Sequence, residues 1–62
     1  MLIENDYYQL AQAARYIAEQ TNDPERYERA ADLFKQAGYA QAEKHMLDRA
    51  KYYREILEGE AE

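Results

Sequence analysis

Thr21-Asn22-Asp23-Pro24-Glu25 is the stretch that decides the fold, because it ends one helix and begins the next. Asp23 can accept hydrogen bonds from backbone N–H groups as an N-cap, and Pro24 suits the first helical position, where its missing N–H costs nothing. Glu25 then lies favourably near the positive end of the helix dipole. The stretch predicts that one helix ends near Gln20 and that another begins at Pro24.

Gly38 marks the second boundary, since it is the only glycine before the C-terminal tail and the apolar pattern changes there. The apolar residues before it form one helical stripe: Tyr27, Ala30, Ala31, Phe34 and Ala37. Those after it form a displaced stripe: Tyr39, Ala42, Met46, Ala50, Tyr53 and Leu57. A displacement at a glycine favours a turn, because glycine readily adopts the left-handed conformation just past a helix end. A single helix through Gly38 stays open as the alternative.

The composition is that of an all-α protein. The 62 residues include no Val and no Ser, good helix formers dominate, and no stretch alternates with period two. We predict one domain over residues 1–58, with helices near 5–20, 24–37 and 39–58 in an antiparallel up-down-up arrangement. A frayed acidic tail is expected at residues 59–62. The alternative is a two-helix hairpin with a long second helix.

The first helix carries a seam of coiled-coil type, with 4-3-4-3 spacing of Ile3, Tyr7, Leu10, Ala14 and Ile17. Asp6 with Gln9 resembles a capping box, so we expect regular helix to begin near Tyr7. A chain this short buries a modest share of its surface and is marginally stable alone. We therefore expect a homodimer to complete the core, through Leu10 and Ile17 if the seam is the dimer contact.

Seven tyrosines are the most informative functional feature. They include adjacent pairs at positions 7–8 and 52–53, and neighbours on a helix point about 100° apart, so the members of a pair cannot share one place in the core. Tyrosines outside the core either cover its rim or form a partner contact. The candidate contacts with a partner or a second copy are Tyr7, Tyr8, Leu10, Tyr16, Ile17, Tyr52 and Tyr53.

The sequence offers few residues suited to catalysis or to metal binding. The sequence has no cysteine, which excludes disulfides and thiolate zinc sites, and no Ser or Cys nucleophile. His45 is the only histidine, and no Glu-x-x-His pair of the kind used in helix-bundle metal sites occurs. No two glycines lie close enough for a phosphate-binding loop. We expect a non-enzymatic protein without metal or cofactor.

The charge balance and hydropathy narrow the possible partners. A formal net charge of −5 disfavours binding to nucleic acid or to an anionic membrane. Basic residues beside tyrosines on the third helix nevertheless offer possible nucleic-acid contacts at Arg49, Lys51 and Arg54. No stretch has the apolar length of a membrane span, and no targeting signal is recognisable, so we expect a cytoplasmic protein with no membrane contact.

Residues 27–53 resemble a single tetratricopeptide-type helical hairpin. Tyr27, Ala31, Phe34 and Gly38 fall at the offsets of that family's first helix and turn, and Ala42, Met46 and Ala50 supply contacts on the second helix. The turn is one residue shorter than usual, and no proline closes the unit. The resemblance implies two packed antiparallel helices. It implies no repeat array and transfers no functional residue, because the matching positions are packing positions.

The function that best fits the sequence is a small helical protein–protein interaction module that acts as an adaptor, regulator or inhibitor through a tyrosine-rich helical surface. Two alternatives stay open. One is a nucleic-acid-associated regulator that uses the basic face of the third helix. The other is an accessory protein of phage or mobile-element type that binds and disables a host protein.

Overall fold

A computed structural model describes the backbone of residues 4–61 and the side chains of residues 6–59. It contains three helices, α1 (Glu4–Thr21), α2 (Pro24–Ala37) and α3 (Ala40–Ala61), and no strand within the described residues. The predicted all-α, three-helix, up-down-up arrangement is confirmed, and the two-helix alternative is wrong. Within the same residues, no helix combines the length and apolar character needed to cross a membrane.

The turn between α1 and α2 follows the cap chemistry of the sequence. Asp23 is the N-cap of α2, in extended backbone conformation, and its side chain accepts a hydrogen bond of 3.0 Å from the N–H of Glu25. Pro24 occupies the start of the helix and is buried. Asn22 precedes the cap with a positive φ of 53°, a conformation that Asn tolerates better than most residues. Local interactions alone therefore place this boundary.

The second turn depends on the left-handed conformation of Gly38, whose φ is 87°. The Gly38 N–H donates to the carbonyl of Lys35 at 3.1 Å, and the Tyr39 N–H donates to the carbonyl of Phe34 at 2.9 Å. This pair of bonds satisfies carbonyls that would otherwise be unpaired at the end of α2. Glycine is required here because a side chain at this φ strains the backbone.

Both outer ends of the chain are more helical than the sequence indicates. The expectation that α1 begins near Tyr7 is wrong, since the helix begins at Glu4 and residues 6–9 lie inside its first turns. The tail expected to fray from residue 59 continues α3 to Ala61, because Ala and Glu favour helix strongly enough to offset the cost of Gly59, about 1 kcal/mol. Residues 1–3 and Glu62 lie outside the described residues.

Helix α2 lies in the middle of the molecule. Helices α1 and α3 each pack along it, while α1 and α3 scarcely touch each other. The buried core consists of Ala11 and Ala18 from α1, Tyr27, Ala30, Ala31, Phe34 and Ala37 from α2, and Met46 and Ala50 from α3. The fold is therefore an open row of three helices that share the central one.

Small side chains fill most of this core. Among the eight large, purely apolar side chains that the structure describes, only Phe34 and Met46 are buried. Alanines at the helix contacts let the backbones approach closely, but they supply little apolar area each. The core is therefore closely packed, but the apolar area that it buries contributes only modestly to the stability of the fold.

The side of α1 that faces α2 is displaced by one residue from the predicted seam. Ala11 and Ala18 are completely buried, whereas Leu10 is 50% exposed and Ile17 is 45% exposed. Ala14, a member of the seam, is half-buried at the edge of the core. The two largest described aliphatic side chains of the seam are consequently available at the surface.

The molecule is extended for its size. Its radius of gyration is 12.3 Å, whereas a compact domain of this length has about 10.6 Å. Its accessible surface is 4769 Å², whereas a compact monomer of 7.4 kDa exposes about 4,200 Å². The three-helix row leaves several hundred square ångströms uncovered that a closed bundle would bury.

Candidate protein interface

Large hydrophobic side chains at the surface are the most unusual feature of the described structure. Eight of them are more than a third exposed: Leu10, Tyr16, Ile17, Tyr39, Leu47, Tyr52, Ile56 and Leu57. Single exposed apolar residues are common, but a chain that buries alanines and exposes leucines and isoleucines has an uncovered apolar surface. Two regions of this surface, a groove and a helix end, combine apolar side chains with a definite shape.

The first region is a shallow groove between α1 and α2, here called the α1–α2 groove. It is lined by Leu10, Ala13, Ala14 and Ile17 from α1 and by Arg26, Arg29 and Leu33 from α2. Its volume of about 220 Å³ is below the roughly 300–1,000 Å³ of typical small-molecule sites. Its open, mainly apolar form is instead that of a groove that accepts the face of a helix.

Positive charge lies on the α2 wall of the groove. Arg26 is 3.8 Å from the carboxylate of Asp23, a long and solvent-exposed ion pair. Arg29 forms no ion pair with any residue in the described part of the chain. Exposed pairs of the first kind contribute little, so both guanidinium groups remain available to a carboxylate on a partner. The groove is a basic site in a chain whose net charge is −5.

The second region is the C-terminal end of α3, residues 55–61, here called the α3 overhang. The Tyr53 ring stacks on Tyr27 with centroids 5.6 Å apart, and Arg54 pairs with Glu28 at 2.8 Å. Because α2 begins at Pro24 and runs antiparallel, Ile56 lies about level with the start of α2, and α3 continues beyond it. Leu57 belongs to the inward stripe of α3 but has no helix to cover it, and it is 52% exposed.

The α3 overhang combines two exposed apolar side chains with charged residues of one sign. Ile56 is 38% exposed beside Leu57. Every charged residue after Arg54 is a glutamate, at positions 55, 58, 60 and 62. A helix end with two exposed apolar side chains and only negative charge is the chemical complement of an apolar groove with arginines on its wall.

Two of the predicted contact tyrosines serve the core instead of the surface. Tyr8 is half-buried, edge-on to Phe34 at 6.3 Å and 4.8 Å from the ring of Tyr39, and its hydroxyl accepts a hydrogen bond from Gln12. Tyr53 is half-buried in its stack with Tyr27. Each joins a flanking helix to α2 or to the turn at its end.

Two of the other three tyrosines of the predicted contact set are more exposed than Tyr8 and Tyr53. Tyr16 is 64% exposed and Tyr52 is 55% exposed, while Tyr7 is half-buried. The structure brings Leu10 and Ile17 together in the groove, with Tyr16 one helical turn from Ala13 on its outer side. Tyr52 lies on α3 outside this groove, with its ring edge against Tyr53 at 5.0 Å. The predicted set therefore divides between the groove, the core and α3.

Sequence reasoning missed the α2 wall of the groove and the apolar end of α3. Arg26, Arg29 and Leu33 recur at spacings of three and four, which places them on one side of α2. Leu33 lies off the buried stripe that includes Phe34, and this mismatch was a usable signal of a second apolar surface. Ile56 and Leu57 carried no such signal, because their exposure depends on where α2 begins.

The surroundings of Tyr27 change the acidity of its hydroxyl. Burial raises the pKa of the Tyr27 hydroxyl above 10.0, and the nearby Tyr53 and Glu19 raise it further, while Arg49 opposes them. The hydroxyl donates a long hydrogen bond of 3.4 Å to Asn22. A tyrosine kept neutral in this way suits a packing role better than proton transfer at neutral pH.

The basic residues of α3 do not form one surface. Arg54 is engaged by Glu28 across the helix contact. Arg49 and Lys51 are two positions apart and point to nearly opposite sides of the helix. Lys44, nearer the start of α3, pairs with Asp48 at 3.9 Å. Lys44, Lys51 and Arg54 share one side of α3, but Asp48, Glu55 and Glu58 lie among them and interrupt any basic strip along that side.

Metal-ligating side chains are also dispersed. His45 is exposed on α3, and no group of three or more potential ligands that could hold a metal ion occurs among the described residues. Among the described carboxylates, Asp23 caps α2 and Glu28 pairs with Arg54.

A comparison of the chain with known protein families, curated proteins and solved structures found no match. The resemblance to a tetratricopeptide-type hairpin therefore stays a prediction. Five of the residues that carry it, Tyr27, Ala31, Phe34, Met46 and Ala50, are buried.

Proposed function

We propose that this protein is a small non-enzymatic interaction module that binds protein helices through its exposed apolar surface and acts as an adaptor, regulator or inhibitor. The observation that carries the proposal is the inversion of side-chain size, with alanines inside and Leu10, Ile17 and Leu57 half-exposed. Since these side chains are about half-exposed, a partner that buries the rest of each one would gain about 0.8–1.5 kcal/mol per side chain.

The α1–α2 groove is the part of the surface that best supports this proposal. It is apolar along its α1 wall, carries Arg26 and Arg29 on its α2 wall, and is too open and small for a typical small-molecule ligand. Helix-in-groove recognition uses this combination of apolar anchors and flanking charges. Exposed Tyr16 beside the groove extends the contact area with a side chain that is frequent at interfaces.

Site-specific photo-crosslinking tests the proposal. A benzophenone amino acid replaces Tyr16 in one version of the protein and Gln41 in another, since both positions are exposed and only the first adjoins the groove. We expect a discrete protein adduct from position 16, in a lysate of the cells that make the protein, and none from position 41.

Loss of the adduct when Leu10 and Ile17 are both changed to Glu is also expected, because the charges remove the apolar floor of the groove. The proposal is wrong if position 16 yields no adduct, or if both positions yield the same weak and diffuse set. The mass of the adduct shows whether the bound protein is a second copy or a different chain.

A further inference from the structure

We propose that the α1–α2 groove binds the α3 overhang of a second copy of this chain, and that two such contacts form a two-fold symmetric dimer. The inference rests on the proposed function, because it names the partner of the same surface. Its support comes from the chemistry, the length and the connectivity of the two regions.

The two regions match in chemistry. The groove offers the apolar side chains of Leu10 and Ile17 beside Arg29, which forms no ion pair in the described residues. The overhang offers apolar Ile56 and Leu57, and its charged residues are all glutamates. Apolar side chains can therefore enter the groove while the carboxylates around them face arginines, an arrangement that gives orientation as well as affinity.

The two regions also match in length. The groove extends along α1 from Leu10 to Ile17, two helical turns or about 10 Å. The overhang extends over residues 55–61, again about 10 Å of helix. A longer helix would leave apolar surface beyond the groove, and a shorter one would leave part of the groove empty.

Connectivity excludes the chain's own overhang as the occupant. Helix α3 runs without interruption from Ala40 to Ala61, so its end cannot turn back. The groove lies between α1 and α2, and α1 scarcely touches α3. Only the overhang of another molecule can reach the groove while both keep this fold.

A two-fold arrangement follows from the size of the contact. A stable interface buries about 800 Å² on each partner, which is about one sixth of the 4769 Å² that this chain exposes. One two-turn contact is too small to supply that area. Two reciprocal contacts double it, because in a two-fold dimer each chain gives its overhang and receives the other.

Molar mass across a hundredfold range of concentration is the primary measurement, by light scattering or sedimentation equilibrium. The wild-type chain is expected to reach twice its 7.4 kDa. Leu10→Glu with Ile17→Glu removes the groove, and Ile56→Glu with Leu57→Glu removes the overhang anchors. Each pair is expected to weaken dimerisation by at least tenfold. The matched control is Leu47→Glu, since Leu47 is equally exposed, at 45%, but lies in neither region.

Mixing the groove variant with the overhang variant distinguishes groove-to-overhang docking from a dimer in which the two α1 helices contact each other. The groove variant keeps its overhang, and the overhang variant keeps its groove, so an equimolar mixture can form one intact contact. We expect a weak heterodimer that appears only at the highest concentrations, where either variant alone forms less dimer than the mixture. If the overhang variant still forms the wild-type dimer, the proposal is overturned.

A charge exchange provides a test that does not depend on apolar variants folding. Arg29 and Glu58 are both exposed, so reversing their charges leaves the core unchanged. Arg29→Glu alone and Glu58→Arg alone are each expected to weaken the dimer severalfold. The chain that carries both changes is expected to regain most of the affinity, because each groove then faces an overhang of opposite charge again. Absence of any recovery would contradict the docking.

Failure of this inference is distinguishable from failure of the proposed function. A wild-type chain that stays monomeric overturns the dimer, while a crosslink from position 16 to a different protein still supports the interaction module. A monomer with no adduct from that position overturns both. Far-UV circular dichroism confirms that each variant is helical before its mass is interpreted.

Discussion

The contact between α2 and α3 and the α3 overhang belong to the same helical stripe, but they differ in environment. Around Met46 and Ala50 the stripe is completely covered by α2, and Tyr53 stacks on Tyr27. One turn further, Leu57 has a larger apolar side chain than Ala50 and is half-exposed. The length of α2, 14 residues against 22 for α3, makes the difference.

The same contrast recurs on α1, where Ala11 and Ala18 are buried while Leu10 and Ile17 border the groove. In both places the monomer buries small residues and leaves large ones outside. Burial in this protein is therefore decided by which helix lies opposite a residue, and hydrophobicity alone does not decide it. The large exposed residues can therefore contact a partner, whereas the buried alanines cannot.

The largest expected effect comes from Phe34→Ala. Phe34 is 2% exposed and packs against Tyr8, so its removal leaves a cavity and is expected to cost about 3–5 kcal/mol of unfolding free energy. Leu57→Ala is the comparison, and at a protein concentration low enough to keep the chain monomeric we expect a change within about 0.5 kcal/mol. Urea unfolding followed by circular dichroism measures both. Equal costs would break the contrast between the two regions.

Replacing a buried alanine by leucine is expected to have the next largest effect on the free energy of unfolding. Ala30 is completely buried on α2, so Ala30→Leu forces the helices apart and is expected to cost about 1–3 kcal/mol. Ala13→Leu makes the same chemical change at an exposed position of the groove and is expected to change stability by less than about 0.5 kcal/mol. The contrast is contradicted if the chain tolerates both substitutions equally in the same urea experiment.

Two glycine substitutions sharpen the comparison with effects of opposite sign. Gly38→Ala is expected to destabilise the chain by about 1–2 kcal/mol, because alanine is strained at a φ of 87° although nothing lies within 4 Å of the added methyl group. Gly59→Ala, inside the overhang with the same open surroundings, is expected to stabilise it by up to about 1 kcal/mol. Thermal unfolding of both variants checks the signs. A stabilising Gly38→Ala would refute the assigned turn.

The smallest effect is confined to alkaline pH. The pKa of Tyr27 is raised in the folded chain, chiefly by burial, so folding favours the neutral hydroxyl. Its contribution to stability is fully present below the unfolded value of 10.0 and is lost as the pH rises through the folded value. Urea midpoints should therefore fall above about pH 10. Tyr27→Phe is expected to flatten this fall, and an unchanged profile would show that other tyrosines cause it.

The boundaries of the helices were the most predictable part of the fold. Asp23 and Gly38 act through hydrogen bonds to residues within four positions, so the signals can be read without knowing the rest of the structure. The outer ends were less predictable. Asp6 suggested a cap that the helix does not use, and Gly59 suggested fraying where Ala and Glu continue the helix.

The candidate interface was predictable only in part. Leu10, Ile17 and Tyr16 were recognised as contact candidates from the seam and from the surplus of tyrosines, and all three are exposed. The sequence could not show that Tyr8 and Tyr53, and not the tyrosines next to them, pack against the core, because either member of an adjacent pair can turn inward. The choice depends on rings supplied by α2, namely Phe34 and Tyr27.

The sequence by itself determined that the chain is helical, where its turns lie and that it has no cysteine or serine. These properties depend on local backbone chemistry and on residue types. The tertiary structure decided which side of each helix is buried, that α1 and α3 both pack on α2, and that α3 extends beyond it. Such choices depend on the relative lengths of the helices and on how closely their alanines let them approach, which no local pattern records.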